Sequence, residues 1–319
     1  MTKRGILGVA VATVVTISLA PLSAMADGAS PPVPIMEMSA APYIFLRGDV
    51  AHLEGMTLKS DKSTRDAHFR LSSYSSKDVA AAAVAYAALV AADTPAFAKT
   101  IEAKTKKRKH RQAFMEELNA NPAMVRDLDG AQDAIDAILA VFARDATRIE
   151  QLGDRYIDQA YQLQKLSWAS RKLPTDGMTR VRSAEEWSAS RRWPVMRALP
   201  ASSGKTGIKK PNLNAEMMWH DSWSKVAKEA TLDPKANVMV TKALVLGTRY
   251  ALGDVKPGHL NSFATSKTTN RCMRSARLML DQCMAATRNA YEEAFCIGTH
   301  GLHDVSRCVG WPSNAGRAK

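Results

Sequence analysis

The chain has 319 residues, 46% of them hydrophobic and 24% charged, and a formal net charge of +13. This length allows one large or two smaller helical domains, and the excess of Lys and Arg favours anionic partners. After the N-terminus no apolar run is long enough to cross a membrane, which excludes a protein with several membrane spans.

The first 26 residues predict a cleaved secretory signal peptide. Lys3 and Arg4 precede a short apolar run, 6–20, and Ala24-Met25-Ala26 supplies the small residues of a cleavage site. An uncleaved anchor is the alternative, although the run is short for a membrane span. We therefore expect a periplasmic or extracellular protein, cleaved after Ala26, whose net charge falls from +13 to +11 because two basic residues leave.

Residues 27–58 begin with the Pro- and Ser-rich sequence DGASPPVPIMEMSAAP, which is typical of a flexible leader. We interpret 27–58 as this leader followed by an irregular segment, in which Tyr43 to Leu53 forms a short strand or a docked stretch.

A helical domain is predicted over 59–198. Ser76 is placed to cap an alanine-rich helix, Asp78 to Ala92, and Pro95 is suited to the first position of the next helix. Asn121-Pro122 likewise places a proline at the start of a short helix. Ser183 and Glu186 have the spacing of a capping box for a further short helix ending near Trp193.

One long amphipathic helix, about 130–172, dominates this domain. Apolar residues recur from Ile135 to Leu163 with a mean spacing of about 3.5, which places them on one stripe. Asp129 with Gln132 is the expected capping box, and Pro174 the expected stop. A helix of this length needs others to cover it, so the predicted fold class is all-α: a helical bundle around this helix.

Residues 199–213 (LPASSGKTGIKKPNL) form the clearest linker and a candidate domain boundary. In the C-terminal region, 214–319, helices are predicted at 214–230, from Asp233-Pro234 to Gly253, and from Ser262 to Arg288. Asn289 with Glu292 has the capping-box spacing that would start another helix.

The four cysteines all fall in this last region and predict disulfides in an exported protein. They are nearly symmetric about Asn289, so an antiparallel helical hairpin would pair Cys272 with Cys308 and Cys283 with Cys296. Cys296 and Cys308 would lie about 120° apart on an ideal helix, unless Gly298 and Gly301 distort it. The arrangement resembles twin-cysteine helical hairpins in architecture, but the spacings differ from those of the mitochondrial twin-CX9C family.

The segment Lys104 to Arg111 (KTKKRKHR) holds six Lys or Arg residues in eight positions. In an exported protein it favours anionic lipid headgroups or wall polymers over nucleic acid. A solvated helix end is the alternative. The predicted contacts to an anionic partner are Lys104, Lys106, Lys107, Arg108, Lys109 and Arg111.

Two other groups of residues suggest weaker hypotheses. Trp219 and Trp223 share a helix face and are able to stack on sugar rings, although burial in the core is the commoner role of Trp. Met217, Met218 and His220 offer soft ligands suited to Cu(I), without a spacing that fixes a site. No metal site and no cofactor are predicted.

The sequence contains no nucleophile elbow, zinc-protease motif, P-loop or dinucleotide fingerprint. We therefore expect a binding or structural protein of the cell envelope rather than an enzyme. The alternative is a lytic enzyme acting on wall glycan, for which Glu116, Glu117 and Glu216 are the first acids to test. A third interpretation is a metal-handling protein that uses Met and His. Oligomeric state is not predicted.

Overall fold

The computed structural model describes residues 35–194, 202–203, 208–211 and 230–315. The predicted signal peptide lies outside these residues, as do most of the predicted linker and the helix at 214–230 except for its last residue. The described residues belong to one compact unit, Pro32–Lys319.

The described residues are almost entirely helical, which confirms the predicted all-α class. Before the linker lie eight α-helices: α1 Ile35–Gly55, α2 Asp61–Leu71, α3 Ser76–Asp93, α4 Pro95–Thr105, α5 Arg108–Ala120, α6 Ala131–Leu163, α7 Ser167–Ser170 and α8 Gly177–Ser190. After it lie α9 Asn237–Ala251, α10 Pro257–Phe263, α11 Lys267–Ala286, α12 Ala290–Cys296 and α13 Asp304–Gly310. Short 3-10 turns occupy Pro122–Asp127, Pro234–Ala236 and Trp311–Ser313. Two two-residue strands, β1 Ser202–Ser203 and β2 Lys209–Lys210, pair in antiparallel fashion.

Helix α1 corrects the prediction of an irregular segment or short strand over 35–55. Buried apolar side chains recur along it at helical spacing, namely Met36, Tyr43, Leu46, Val50 and Leu53. Pro42 lies inside the helix and removes one backbone donor. Burial of the apolar face outweighs that loss, because most helix stability in proteins comes from tertiary packing.

The central helix α6 is shorter than predicted and ends at Leu163 rather than near residue 172. Leu163 is the last buried residue of its apolar stripe, and the chain then turns into α7. Its start also differs, because Gly130 occupies the N-cap position with a left-handed φ of 78° and no side chain caps the helix. The predicted capping box of Asp129 and Gln132 is therefore wrong.

Two further helix boundaries differ from the prediction. Helix α8 begins at Gly177 and is capped by Asp176, so Ser183 lies within the helix rather than at its start. The predicted helix from Ser262 to Arg288 is divided into α10 and α11, because Ser266 accepts a hydrogen bond from the Thr269 amide and starts a new helix. The capping box of Asn289 and Glu292 is present at the start of α12.

The helices on the two sides of the predicted linker share one hydrophobic core. Helix α9 packs along the alanine-rich helix α3, where a Cβ on Gly247 would lie 2.7 Å from the carbonyl oxygen of Ala88. Alanine and glycine thus allow the two backbones to approach closely. Residues before and after the linker therefore stabilise the same core.

A π-helix, Ile297–His303, connects α12 to α13. Each π residue turns the chain by roughly 82° rather than the roughly 100° of an α-helix, so seven of them remove about 120° of rotation. This brings Cys296 and Cys308 to the same side of the helix. The structure contains the disulfides Cys272–Cys308 and Cys283–Cys296, which are the pairs that the hairpin symmetry predicts.

The π-helix crosses α6 at two glycines. A Cβ on Gly298 would lie 2.9 Å from the carbonyl oxygen of Gly153 and 2.7 Å from Cγ1 of Ile157. Glycine has a low helix propensity, so Gly153 by itself destabilises α6. In return it permits this close crossing, which holds the disulfide hairpin against the central helix.

Inside the bundle, a buried polar network joins α1, α3 and α6. The Tyr43 hydroxyl donates to Asp145 at 2.8 Å, and Arg47 contacts both Asp145 at 3.2 Å and the Tyr86 hydroxyl at 2.5 Å. Burial raises the pKa of Asp145, and the neighbouring Arg47 opposes that shift. Because each buried charge has a partner, the network fixes the relative positions of the three helices.

Within the described residues, no single helix is both long and apolar enough to cross a membrane. Helices α2 and α3 meet that criterion only as a pair bent by 68°. The alanine-rich α3 is buried in the protein core along most of its length.

Candidate anion-binding site

A cleft of about 990 Å³ opens between α1 and the N-terminal parts of α3, α9 and α11. Four lysines line it, Lys77, Lys235, Lys242 and Lys267, together with one acidic residue, Asp78. We call this the lysine cleft. Its lining carries a clear excess of positive charge, so it is suited to an anion.

Three of these lysines stand at the beginnings of helices. Lys77 is in the first turn of α3, Lys267 opens α11, and Lys235 lies in the 3-10 turn that leads into α9. Neither α9 nor α11 has an acidic residue in its first turn. Cations near a helix N-terminus oppose the helix dipole, so an anion in the cleft would relieve this repulsion.

Lys242 lines the cleft, and two hydrogen bonds position its side chain. Its Nζ donates to the carbonyl oxygen of Thr265 at 3.2 Å and to the Thr265 hydroxyl at 2.6 Å. Burial and, second, the positive charge of Lys267 lower the pKa of Lys242. The two lysines therefore repel each other across the site where a shared anion would bind.

The remainder of the cleft lining contains apolar side chains together with several Ser, Thr and Asn residues. Met38 and Val238 stand at its edge with 57% and 66% of their surface exposed. Pro42, Met239, Leu260 and Trp311 also line it. The Trp311 indole donates to the Thr269 hydroxyl at 2.9 Å, which orients the ring beside the start of α11. The cleft thus combines cations with exposed hydrophobic surface.

The basic segment predicted to bind an anionic partner forms the corner between α4 and α5. Lys104, Lys106, Lys107, Arg108 and Lys109 are all exposed there. Arg111 instead donates to the carbonyl oxygen of Leu252, and so contributes to packing. We call these residues the α4–α5 corner.

The corner lies at the opposite end of α9 from the cleft. Leu252 is ten residues beyond Lys242, which corresponds to about 15 Å of helix axis. Lys209 lies at the same end as the corner, with its side chain against Gly253. Within the described residues the corner and the cleft are therefore separate basic surfaces, and of these two the cleft combines lysines with exposed apolar side chains.

The tryptophans proposed to stack on sugar rings, Trp219 and Trp223, lie outside the described residues. Two earlier ones, Trp187 and Trp193, pack around Arg191, whose Cζ is 4.0 Å from the centre of the Trp193 ring. Arg191 also forms a two-pronged ion pair with buried Asp49, at 2.7 and 2.9 Å. This cluster is a structural contact between α1 and the end of α8.

The structure does not bring the other candidate residues together. His300 pairs with Asp304 at 2.8 Å and His303 with Asp154 at 2.9 Å, and the described residues form no cluster of three or more potential metal ligands. Glu116 and Glu117 are exposed on α5 and do not line the cleft. Glu216, Met217, Met218 and His220 lie outside the described residues.

The cleft lysines were missed at the sequence level because they are far apart in the chain. Lys77 precedes Lys267 by 190 residues, and only the packing of α3 beside α9 and α11 brings them to one cleft. The available local signal was the basic first turn of helix α11, which has no acidic residue.

The fold and the cleft define an all-α, disulfide-bonded protein with a basic cleft. Comparison of the chain with family models, with curated proteins and with solved structures gives no match in any of the three.

Proposed function

We propose that the protein is exported and binds an anionic polymer or lipid of the cell envelope in the lysine cleft. The single observation that carries this proposal is the convergence of four lysines and the first turns of three helices on one cleft. The two disulfides support export, because such bonds persist in oxidising compartments. The α4–α5 corner adds a second basic surface that would attract the same partner.

Binding is tested by co-sedimentation of the oxidised protein with purified cell-wall sacculi and, separately, with vesicles containing anionic lipid. We expect binding to one of them that weakens as salt rises, because charge pairs near the surface are screened. The double variant Lys242→Gln/Lys267→Gln should bind at least tenfold more weakly, since each charge-assisted contact contributes about 1.5–3 kcal/mol.

The matched control is Lys59→Gln/Lys62→Gln, which removes the same charge from exposed positions that do not line the cleft. Equal loss in both double variants would mean that net charge, not the cleft, controls binding. Release of glycan fragments from sacculi would favour the alternative, a lytic enzyme, and contradict a pure binding role.

Export is tested at the N-terminus. Expression in a bacterial host, followed by mass spectrometry of the periplasmic and extracellular fractions, should detect a chain beginning at Asp27. Retention of residues 1–26 on the recovered protein would contradict cleavage after Ala26.

A further inference from the structure

We propose that the ligand of the lysine cleft is a lipid with a phosphate headgroup, bound with its acyl chain against the apolar wall. This inference rests on the proposed function and names the ligand class for the same cleft. It is carried by the presence, in one lining, of four lysines and of apolar side chains that are exposed to solvent.

The cationic part fits a headgroup with more than one negative charge. Lys242 is positioned by its two hydrogen bonds to Thr265, and Lys267 is close enough for its charge to act on Lys242. A phosphate monoester carries a charge of about −1.5 to −2 at neutral pH and offers three acceptor oxygens. It can therefore pair with both lysines, and its third oxygen faces the basic start of α11.

The apolar part fits an acyl chain. Met38 and Val238 expose more than half of their surface at the edge of the cleft, and Met239, Leu260 and Trp311 continue the apolar wall inward. Methionine side chains adapt to flexible apolar ligands. A cell-wall polymer that bears only sugars and phosphates would leave these apolar side chains in water. It would therefore account for the lysines of the cleft but not for its apolar side chains.

The volume of the cleft is large enough for one lipid. At about 990 Å³ the cleft is at the upper end of the range of roughly 300–1,000 Å³ that is common for pockets enclosing a single ligand. Much of its lining comes from α1, α3, α9 and α11, helices of the common core, and α10 and Trp311 complete it.

The test uses alkyl phosphates of increasing length as probes: methyl, butyl and octyl phosphate, titrated into the oxidised full-length protein by calorimetry. We expect the affinity to rise by about threefold to fourfold for each methylene that enters the cleft, which corresponds to the free energy of burying one methylene. The intrinsic fluorescence should change with octyl phosphate, and Trp311→Phe should remove most of that change without abolishing the calorimetric binding.

Two variants separate the parts of the cleft. Lys242→Gln/Lys267→Gln should weaken every probe by at least tenfold. Met38→Gln/Val238→Thr alters only exposed apolar side chains, so it should flatten the dependence on chain length and leave methyl phosphate unaffected.

The outcomes distinguish this inference from the proposed function. If methyl and octyl phosphate bind equally and both require the lysines, the lipid inference falls and the anion-binding function stands. If 1-octanol binds as tightly as octyl phosphate, the headgroup part of the inference falls. If no alkyl phosphate and no envelope preparation binds in a lysine-dependent way, both proposals fall.

Discussion

At the scale of single residues, Lys242 is the most informative position in the cleft. Burial and, second, the charge of Lys267 lower its pKa. We expect a bound phosphate to raise the pKa of Lys242, because a nearby opposite charge favours the charged form. NMR titration of labelled lysine side chains with and without octyl phosphate measures this, and Lys59 serves as the internal control. An unchanged Lys242 would place the phosphate elsewhere.

Two other buried residues give opposite dependences of stability on pH. Burial raises the pKa of Glu293 from 4.5 to about 7, although the ion pair with Arg180 opposes the shift. Its carboxyl group therefore binds more protons when folded, and stability falls as pH rises from about 4.5 to 7. Burial, followed by the charges of Arg277 and Arg180, lowers the pKa of His68 from 6.5 to about 3, so stability falls as pH drops through that range.

Between pH 4.5 and 6.5 these two slopes oppose each other. We therefore expect Glu293→Gln and His68→Gln to have slopes of opposite sign when each is compared with the wild type. The stability of Glu293→Gln relative to wild type should rise with pH, and that of His68→Gln should fall, by up to about 1.4 kcal/mol per pH unit. Urea unfolding across this range measures both. Parallel profiles in all three proteins would contradict the two pKa shifts.

At the scale of secondary-structure elements, the crossing of α6 and the π-helix predicts a strong effect of a single methyl group. Gly298→Ala should destabilise the protein by roughly 1–3 kcal/mol, because its Cβ would meet the Gly153 carbonyl and Ile157. Gly48→Ala, on an open part of α1, should instead stabilise by up to about 1 kcal/mol through helix propensity. Thermal unfolding followed by circular dichroism compares them. A neutral Gly298→Ala would mean that the two helices separate easily.

The disulfides should differ in their contribution to stability. The Cys272–Cys308 bond closes a loop of 36 residues and the Cys283–Cys296 bond one of 13. Loop-closure entropy then predicts losses of about 4 and about 3 kcal/mol when each pair is replaced by Ala. Denaturant unfolding of the two double variants measures the difference. A larger loss for the Cys283–Cys296 pair would show that local packing, not chain entropy, dominates.

At this scale the sequence predicted the helical class and the disulfide hairpin better than it predicted where the helices begin and end. A pattern in the sequence was sufficient for three features. These are the helical periodicity of α6, the helix-starting Pro95 and the symmetric spacing of the cysteines. The end of α6, the existence of α1 and the π-helix depend on what packs against them. Pro42 removes a backbone donor within α1, and only the burial of Tyr43 and Val50 shows why a helix forms there.

At the scale of the whole molecule, the site was less predictable than the fold. The basic run of the α4–α5 corner is visible because its residues are adjacent in sequence, whereas the lysine cleft is assembled from residues that lie far apart in the chain. That the corner residues contact an anionic partner stays a prediction. Leu252, which Arg111 of the corner contacts, lies about 15 Å along α9 from Lys242 of the cleft, so the two basic surfaces are separate.

The separation of the corner from the cleft predicts that the two surfaces act on different steps of ligand binding, association and dissociation. Charges in the corner act on an approaching anion only over the screening length, which is about 30 Å at 10 mM salt and about 8 Å at 150 mM. Lys106→Gln/Lys107→Gln should therefore slow association of octyl phosphate at 10 mM and have no effect at 150 mM. Lys242→Gln/Lys267→Gln should accelerate dissociation at both concentrations, because these lysines are expected to contact the ligand directly. Stopped-flow fluorescence measures both rates. If the corner variant accelerated dissociation at 150 mM, the corner itself would contact the ligand, and the cleft would no longer account for binding.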